Sequence, residues 1–219
     1  PFQYALDGER WSGIRKRDLA PAQVPNFLYV GSIFRNAQLD ALIDCARAIA
    51  ELNDEGFAAR LRIITSADNG ARYRQMLALH PNIIVEPSSG DDDIFFQNLA
   101  DADALLLPVN FDRASVEFIR YSMPTKVPAY LNSGTPVLVY GSDETAQVRY
   151  AADNGWGLVV AEPSLAKLKS GLKQIVLDGA LRRRLSTAAR SAVCNHDARV
   201  VRGAFQKLLI QSANTRQAA

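Results

Sequence analysis

In SMPTKV (Ser122 to Val127), a hydroxyl and an ammonium follow a proline, just ahead of a short apolar segment that stops at Gly134. Proline suits the first turn of a helix, where its missing N–H is not needed. Thr125, Lys126 and the free backbone N–H groups beside them would then form an anion site, above all for phosphate. The competing reading is a surface lysine lying along apolar neighbours beside a capped helix. A second basic loop is VGSIFRN (Val30 to Asn36). Gly31 lets backbone approach closely, and Ser32, Arg35 and Asn36 can meet an anion. The loop lacks GxGxxG, so it carries no dinucleotide fingerprint. A tight turn with Asn36 as helix cap is the alternative.

Two acidic loops carry weaker signals. SSGDDD (Ser88 to Asp93) has the oxygen ligands a hard cation takes, yet three aspartates at a helix start also cap it and offset its dipole. Capping is the reading adopted, and no metal is expected. Ser88 and Ser89 remain available to a ligand base. GSDET (Gly141 to Thr145) again suits a helix start, while Asp143 and Glu144 could take sugar or ribose hydroxyls. His80 and His196 stand alone in sequence, so neither is assigned a catalytic role. ALRRRL (Ala180 to Leu185) reads as a solvated helix face. No serine–histidine–aspartate or cysteine–histidine pattern emerges.

These loops need a scaffold. The chain has 219 residues, 48% hydrophobic and 22% charged, which is a globular composition with enough length for one α/β domain and an extension. A formal net charge of +2 gives no footprint for nucleic acid. Cys45 and Cys194 lack metal-ligand spacing and fit buried thiols in a reducing, cytoplasmic compartment. No apolar run has the length of a membrane span.

Residues 1–25 mix aromatics, glycines and a basic run (Arg15, Lys16, Arg17), and read as a linker or extended arm. From Asn26 a rhythm begins. Apolar runs at Asn26 to Gly31, Leu61 to Thr65, Asn82 to Pro87, Ala104 to Val109, Pro136 to Gly141 and Trp156 to Ala161 read as six strands. Helical spacing separates most of them, most clearly Leu39, Leu42, Ile43, Ala46, Ile49 and Ala50. Helices are expected near 71–79 and 92–100, and from Ser164 to about Arg216 with breaks around Gly179 and Asn195. Runs such as LLL and VLV suit strands buried on both faces. The expected fold is α/β, a Rossmann-like doubly wound parallel sheet of about six strands over residues 26–178, with C-terminal helices over 179–219 packed on it. Ligands bind such sheets beyond the carboxyl ends of the strands, which is where these loops lie.

MPTKVPAYLNSGTPVLV (Met123 to Val139) resembles the P-S-K-hydrophobic-x-E-Y-hydrophobic-A-x-G-x-P-V segment of GT-B fold glycosyltransferases, in particular family four, glycosyl transferases group one. Pro124, Thr125, Lys126, Val127, Tyr130, Leu131, Gly134, Pro136 and Val137 carry the match. FLYVGSIFRNAQLDALIDCARAI resembles the first strand, loop and helix of the family's donor-binding domain, ALLLPVN its strand before the donor loop, and NGWGLVV the segment before its closing helices. YALDGERW (Tyr4 to Trp11) resembles the end of the interdomain linker.

The resemblance implies the C-terminal, donor-binding half of a two-domain enzyme, with residues 1–25 as the link from an N-terminal acceptor domain. It implies a nucleotide-diphosphate sugar as substrate, no metal or other cofactor, and hexose transfer to an acceptor, a peripheral membrane acceptor at the inner face being one option. Lys126, Thr125, Arg35, Gly31 and Ser32 would hold the diphosphate. Ser88, Ser89, Ser122, Met123, Asp143, Glu144 and Thr145 would lie toward the base or sugar. No residue is assigned to catalysis. The sequence departs from the family where two glutamates are usual: Tyr121 and Ala129 stand there, and neither offers a carboxylate to the ribose. Glu117, Asp143 and Glu144 are substitutes. The departure keeps two rivals open, a non-catalytic scaffold or carbohydrate-assembly protein on the same fold and a sugar-nucleotide epimerase.

Overall fold

The computed structural model describes residues 5–8, 10, 11 and 13–217, with side chains as far as Gln211. Six strands form one sheet: β1 (Asn26–Val30), β2 (Arg60–Thr65), β3 (Ile83–Pro87), β4 (Ala104–Pro108), β5 (Val137–Tyr140) and β6 (Gly157–Val160). Every pairing is parallel and the order is β3-β2-β1-β4-β5-β6. The helices between them are α1 (Leu39–Asp54), α2 (Ala67–Leu77), α3 (Asp92–Asp101), α4 (Arg113–Ile119), α5 (Val127–Ser133) and α6 (Ala146–Asn154). Then follow α7 (Leu165–Leu177), α8 (Gly179–Ala192), a 3-10 turn (Val193–His196) and α9 (Ala198–Gln217). This is the doubly wound sheet expected from the alternation of apolar runs and helical spacing. Among the described residues no helix is long and apolar enough to cross a membrane.

The period-two alternation of the strands builds a core on each face. Phe27, Tyr29, Leu106, Leu138 and Tyr140 point toward α1, α7 and α8. Leu28, Val30, Leu105, Leu107, Val137 and Val139 point to the opposite layer, with Phe96, Leu99, Tyr130 and Trp156. The chain reverses direction of growth between β1 and β4, so a crevice opens beyond their carboxyl ends.

Helix boundaries follow local chemistry. The helix expected near 71–79 starts at Ala67, because the Ser66 side chain accepts from Asn69 N–H. Asp91 caps α3, accepting from the N–H groups of Asp93 and Ile94, as the capping reading of the acidic run requires. Asn36 does not cap α1. Its first turn is instead served from another strand end: buried Asn110 accepts from Ala41 N–H at 3.1 Å and donates to the Arg35 carbonyl at 2.9 Å.

Three further expectations need correction. Arg182, read as part of a solvated face, is 0% exposed and donates to the carbonyls of Leu19 (2.5 Å) and Ile175 (2.8 Å), while Arg183 and Arg184 are exposed. Cys194 is exposed, and only Cys45 is a buried thiol. His196 is buried, its ring nitrogen lying 3.0 Å from the Tyr150 hydroxyl. His80 likewise has a partner, Nδ1 accepting from Asn82 N–H at 3.1 Å.

The described part of residues 5–25 carries no helix or strand but is docked along the domain. Trp11 stacks on Phe96 with centroids 4.2 Å apart. The Trp11 carbonyl accepts from Asn132, Arg15 donates to Asn132, and Lys16 N–H donates to the Ser133 carbonyl. Arg190 donates to the Lys16 carbonyl at 2.9 Å. Of the YALDGERW stretch, Tyr4 and Glu9 lie outside the described residues.

Candidate functional site

A cavity of about 710 Å³ opens at the carboxyl ends of β1 and β4. It brings together Gly31, Ser32, Ser122, Met123, Thr125 and Lys126, six of the residues singled out in sequence. A groove of about 380 Å³ holds Ser88 and Ser89 and shares Val30, Asp92 and Phe95 with the cavity. Arg35, Asp143, Glu144 and Thr145 line neither. Arg35 is exposed. Glu144 is paired with Arg120 at 2.8 Å, and the Thr145 hydroxyl donates to the Ser142 carbonyl. Glu117, another substitute for the ribose contact, is paired with Arg113 and also lies outside the cavity.

The helix behind Lys126 differs from the expectation. Pro124 does not open it; its carbonyl accepts from Val127 N–H at 3.1 Å in a turn ahead of the helix. Lys126 is the N-cap residue, and Pro128 takes the early position where a missing N–H is harmless. The helix then runs only to Ser133, and Gly134 closes it at φ +68°. Tyr130 fixes its depth. Its buried hydroxyl accepts from Val30 N–H at 3.2 Å and reaches the Leu106 carbonyl at 3.4 Å, so one side chain ties α5 to β1 and β4.

Lys126 is half-buried and makes no hydrogen bond or ion pair among the described residues. Its Nζ lies over the Tyr29 ring, 3.9 Å from the centroid. Burial pushes its pKa down to about 7, since an ammonium without a counter-charge is poorly solvated there. Gly31 makes room for it: at φ +133°, a Cβ would sit 2.8 Å from Nζ. A small network sets the floor. Tyr29 donates to the Ser32 carbonyl at 2.7 Å, and Gln38 donates to both the Tyr29 hydroxyl (3.2 Å) and the Ser32 carbonyl (2.7 Å).

Lys126 is the only cation and Asp92 the only carboxylate among the described residues lining the cavity. Ala129 also lines it, so a glutamate at that position would face the ligand space. No group of three or more His, Cys, Asp or Glu able to hold a metal occurs among the described residues. Sequence reasoning missed Tyr29, Gln38, Asn110 and Gln147. The first three read as ordinary strand, helix and loop residues, and only the fold brings them to this corner. Gln147 sits inside α6, beyond the loop to which attention was drawn.

No protein-family profile matches the sequence, and no curated protein matches it. Solved structures do. WaaG, a glycosyltransferase involved in lipopolysaccharide biosynthesis, is 22% identical over 85% of this chain and 45% of its own, with a TM-score of 0.54. The trehalose-6-phosphate synthase OtsA is 12% identical over 95% of this chain and 50% of its own (TM-score 0.69). Sucrose-phosphate synthase from Thermosynechococcus elongatus is 16% identical over 97% and 50% (TM-score 0.67). The chain thus has the Rossmann-like fold of a GT-B half-domain and spans about half the length of the structures it matches.

Proposed function

We propose that this chain is the donor-binding half of a glycosyltransferase that takes a nucleotide-diphosphate sugar, working with an acceptor-binding half. One observation carries the reading: an ammonium without a counter-ion, held beside a glycine loop at the switch point of the sheet. A diphosphate there would supply the missing negative charge and draw Lys126 into its protonated form. That charge then stabilises the leaving diphosphate as the bond to the sugar breaks. Thr125, Ser32 and Ser122 offer hydroxyls around the same space, and Ser88 and Ser89 offer polar groups to a base in the adjoining groove.

Calorimetric titration with UDP, GDP and ADP tests this. The expected result is saturable binding of at least one, weakened at least tenfold by Lys126→Ala. Equal affinity in the variant would overturn the role of the lysine. One observation favours a second reading: Ala129 lines the cavity where the family resemblance places a carboxylate. A non-catalytic member of the fold predicts no nucleotide binding by the chain or by the chain joined to its acceptor half.

A further inference from the structure

Gln147, the second residue of α6, is 5% exposed and lines the Lys126 cavity. Among the described residues its amide makes no hydrogen bond, and neither amide atom is sealed from solvent. The other polar liners differ. Gln38 gives its amide hydrogens to Tyr29 and Ser32, and its Oε1, which has no partner among the described residues, is sealed from solvent and so cannot meet a ligand in the cavity. Ser32, Ser122 and Thr125 are exposed and can turn to water. The Gln147 amide has no protein partner there, so its polar atoms are met by whatever fills the cavity, water or a ligand that can replace it.

We propose that Gln147 binds a hydroxyl pair of the donor, in the place of the carboxylate that Ala129 does not provide; this rests on the donor reading above. The chemistry of the amide sets the ligand class. Its carbonyl accepts from one hydroxyl and its NH2 donates to a neighbouring one, so it pairs with both members of a vicinal diol. A carboxylate could only accept, and it would add negative charge to a space meant for a diphosphate. With Lys126 supplying the only positive charge of the lining among the described residues, the cavity suits a ligand with an anionic centre and a neutral diol beside it. Ribose and hexose both carry such a diol.

Calorimetry on the 219-residue chain separates the possibilities. The probes are inorganic pyrophosphate, the nucleoside diphosphates UDP, GDP and ADP, and their hexose conjugates. Gln147→Met keeps the side-chain volume and removes both hydrogen-bonding groups, with Gln147→Leu as a second variant if the first does not fold. The expected result is about a tenfold loss for the preferred nucleotide sugar with pyrophosphate affinity unchanged, whereas Lys126→Ala weakens every probe. A loss already present with the nucleoside diphosphate, and absent with its 2′-deoxy form, assigns the ribose. A loss seen only with the conjugate assigns the hexose. Full affinity in both Gln147 variants, alongside loss in Lys126→Ala, overturns this inference and leaves the donor reading standing. No binding of any probe by the parent chain overturns both.

Discussion

The Lys126 ammonium stands 3.9 Å above the centre of the Tyr29 ring, and the ring is held there by the bond from its own hydroxyl to the Ser32 carbonyl. The aromatic face is the only attractive partner the ammonium has among the described residues. A cation–π contact offsets about 1–2 kcal/mol of lost hydration, which does not restore the charge in full. The depressed pKa of Lys126 is the result.

That pKa makes stability depend on pH. Lys126 titrates near 7 in the folded chain against 10.5 for a free lysine. Between these values the unfolded chain holds a proton that the folded chain lacks, so stability rises with pH across the window. Lys126→Met removes the titration. The variant should be the more stable chain at neutral pH and below, by up to a few kcal/mol, and the gap should narrow toward the upper end of the window. Urea unfolding across the pH series measures this; parallel curves for parent and variant would contradict it. Diphosphate binding to the parent near pH 8 should also take up a proton, visible as a calorimetric enthalpy that varies with buffer.

Gly31→Ala should strike the site harder than the fold. A Cβ at φ +133° strains the backbone and meets the ammonium end of Lys126 at 2.8 Å. The strain costs about 1–3 kcal/mol, while the flexible lysine tip swings away from Tyr29. Expected are a modest fall in melting temperature and a tenfold or larger loss of diphosphate affinity. Unchanged affinity would mean that Lys126 works from another position.

Tyr130→Phe removes the hydroxyl that joins α5 to the ends of β1 and β4. The loss should be about 1–3 kcal/mol, because buried backbone groups lose a partner. Hydrogen exchange at Val30 and Gly31 should quicken more than exchange in β5, and uniform quickening would point to a global effect instead.

Arg182→Met tests the docking of the N-terminal segment. The guanidinium holds the carbonyls of Leu19 and Ile175, and each charged bond contributes about 1.5–3 kcal/mol. Trypsin should cut after Arg15 to Arg17 well before it cuts the sheet domain. A digestion pattern like the parent's would show that the other contacts suffice.

The sheet was legible because each strand is an apolar run bounded by turn residues, and because α1 repeats its apolar positions at helical spacing. Both signals are local. Asp91 also declared itself as a cap, since capping acts within three residues. Ser66 carries the same local signal, which was passed over, so α2 was expected four residues late. The features that failed are those set at long range. Asn110 serves a helix 69 residues away. Arg182 is buried only because Leu19 comes to meet it. In the site, the glycine, the hydroxyls and the lysine could be read from two loops. Their floor of Tyr29 and Gln38 and the amide of Gln147 could not, since a core tyrosine and a helical glutamine look alike in any sequence.

The bonds between residues 11–19 and α5 have a mechanical meaning. Asn132 and Ser133, at the end of α5, are gripped by Trp11, Arg15 and Lys16. Lys126 sits at the other end of the same helix, about 10 Å away at the rise of an α-helix. No slack loop lies between them. The N-terminal segment and the ammonium are therefore held at the two ends of one short rod, bolted to the sheet at its middle by Tyr130.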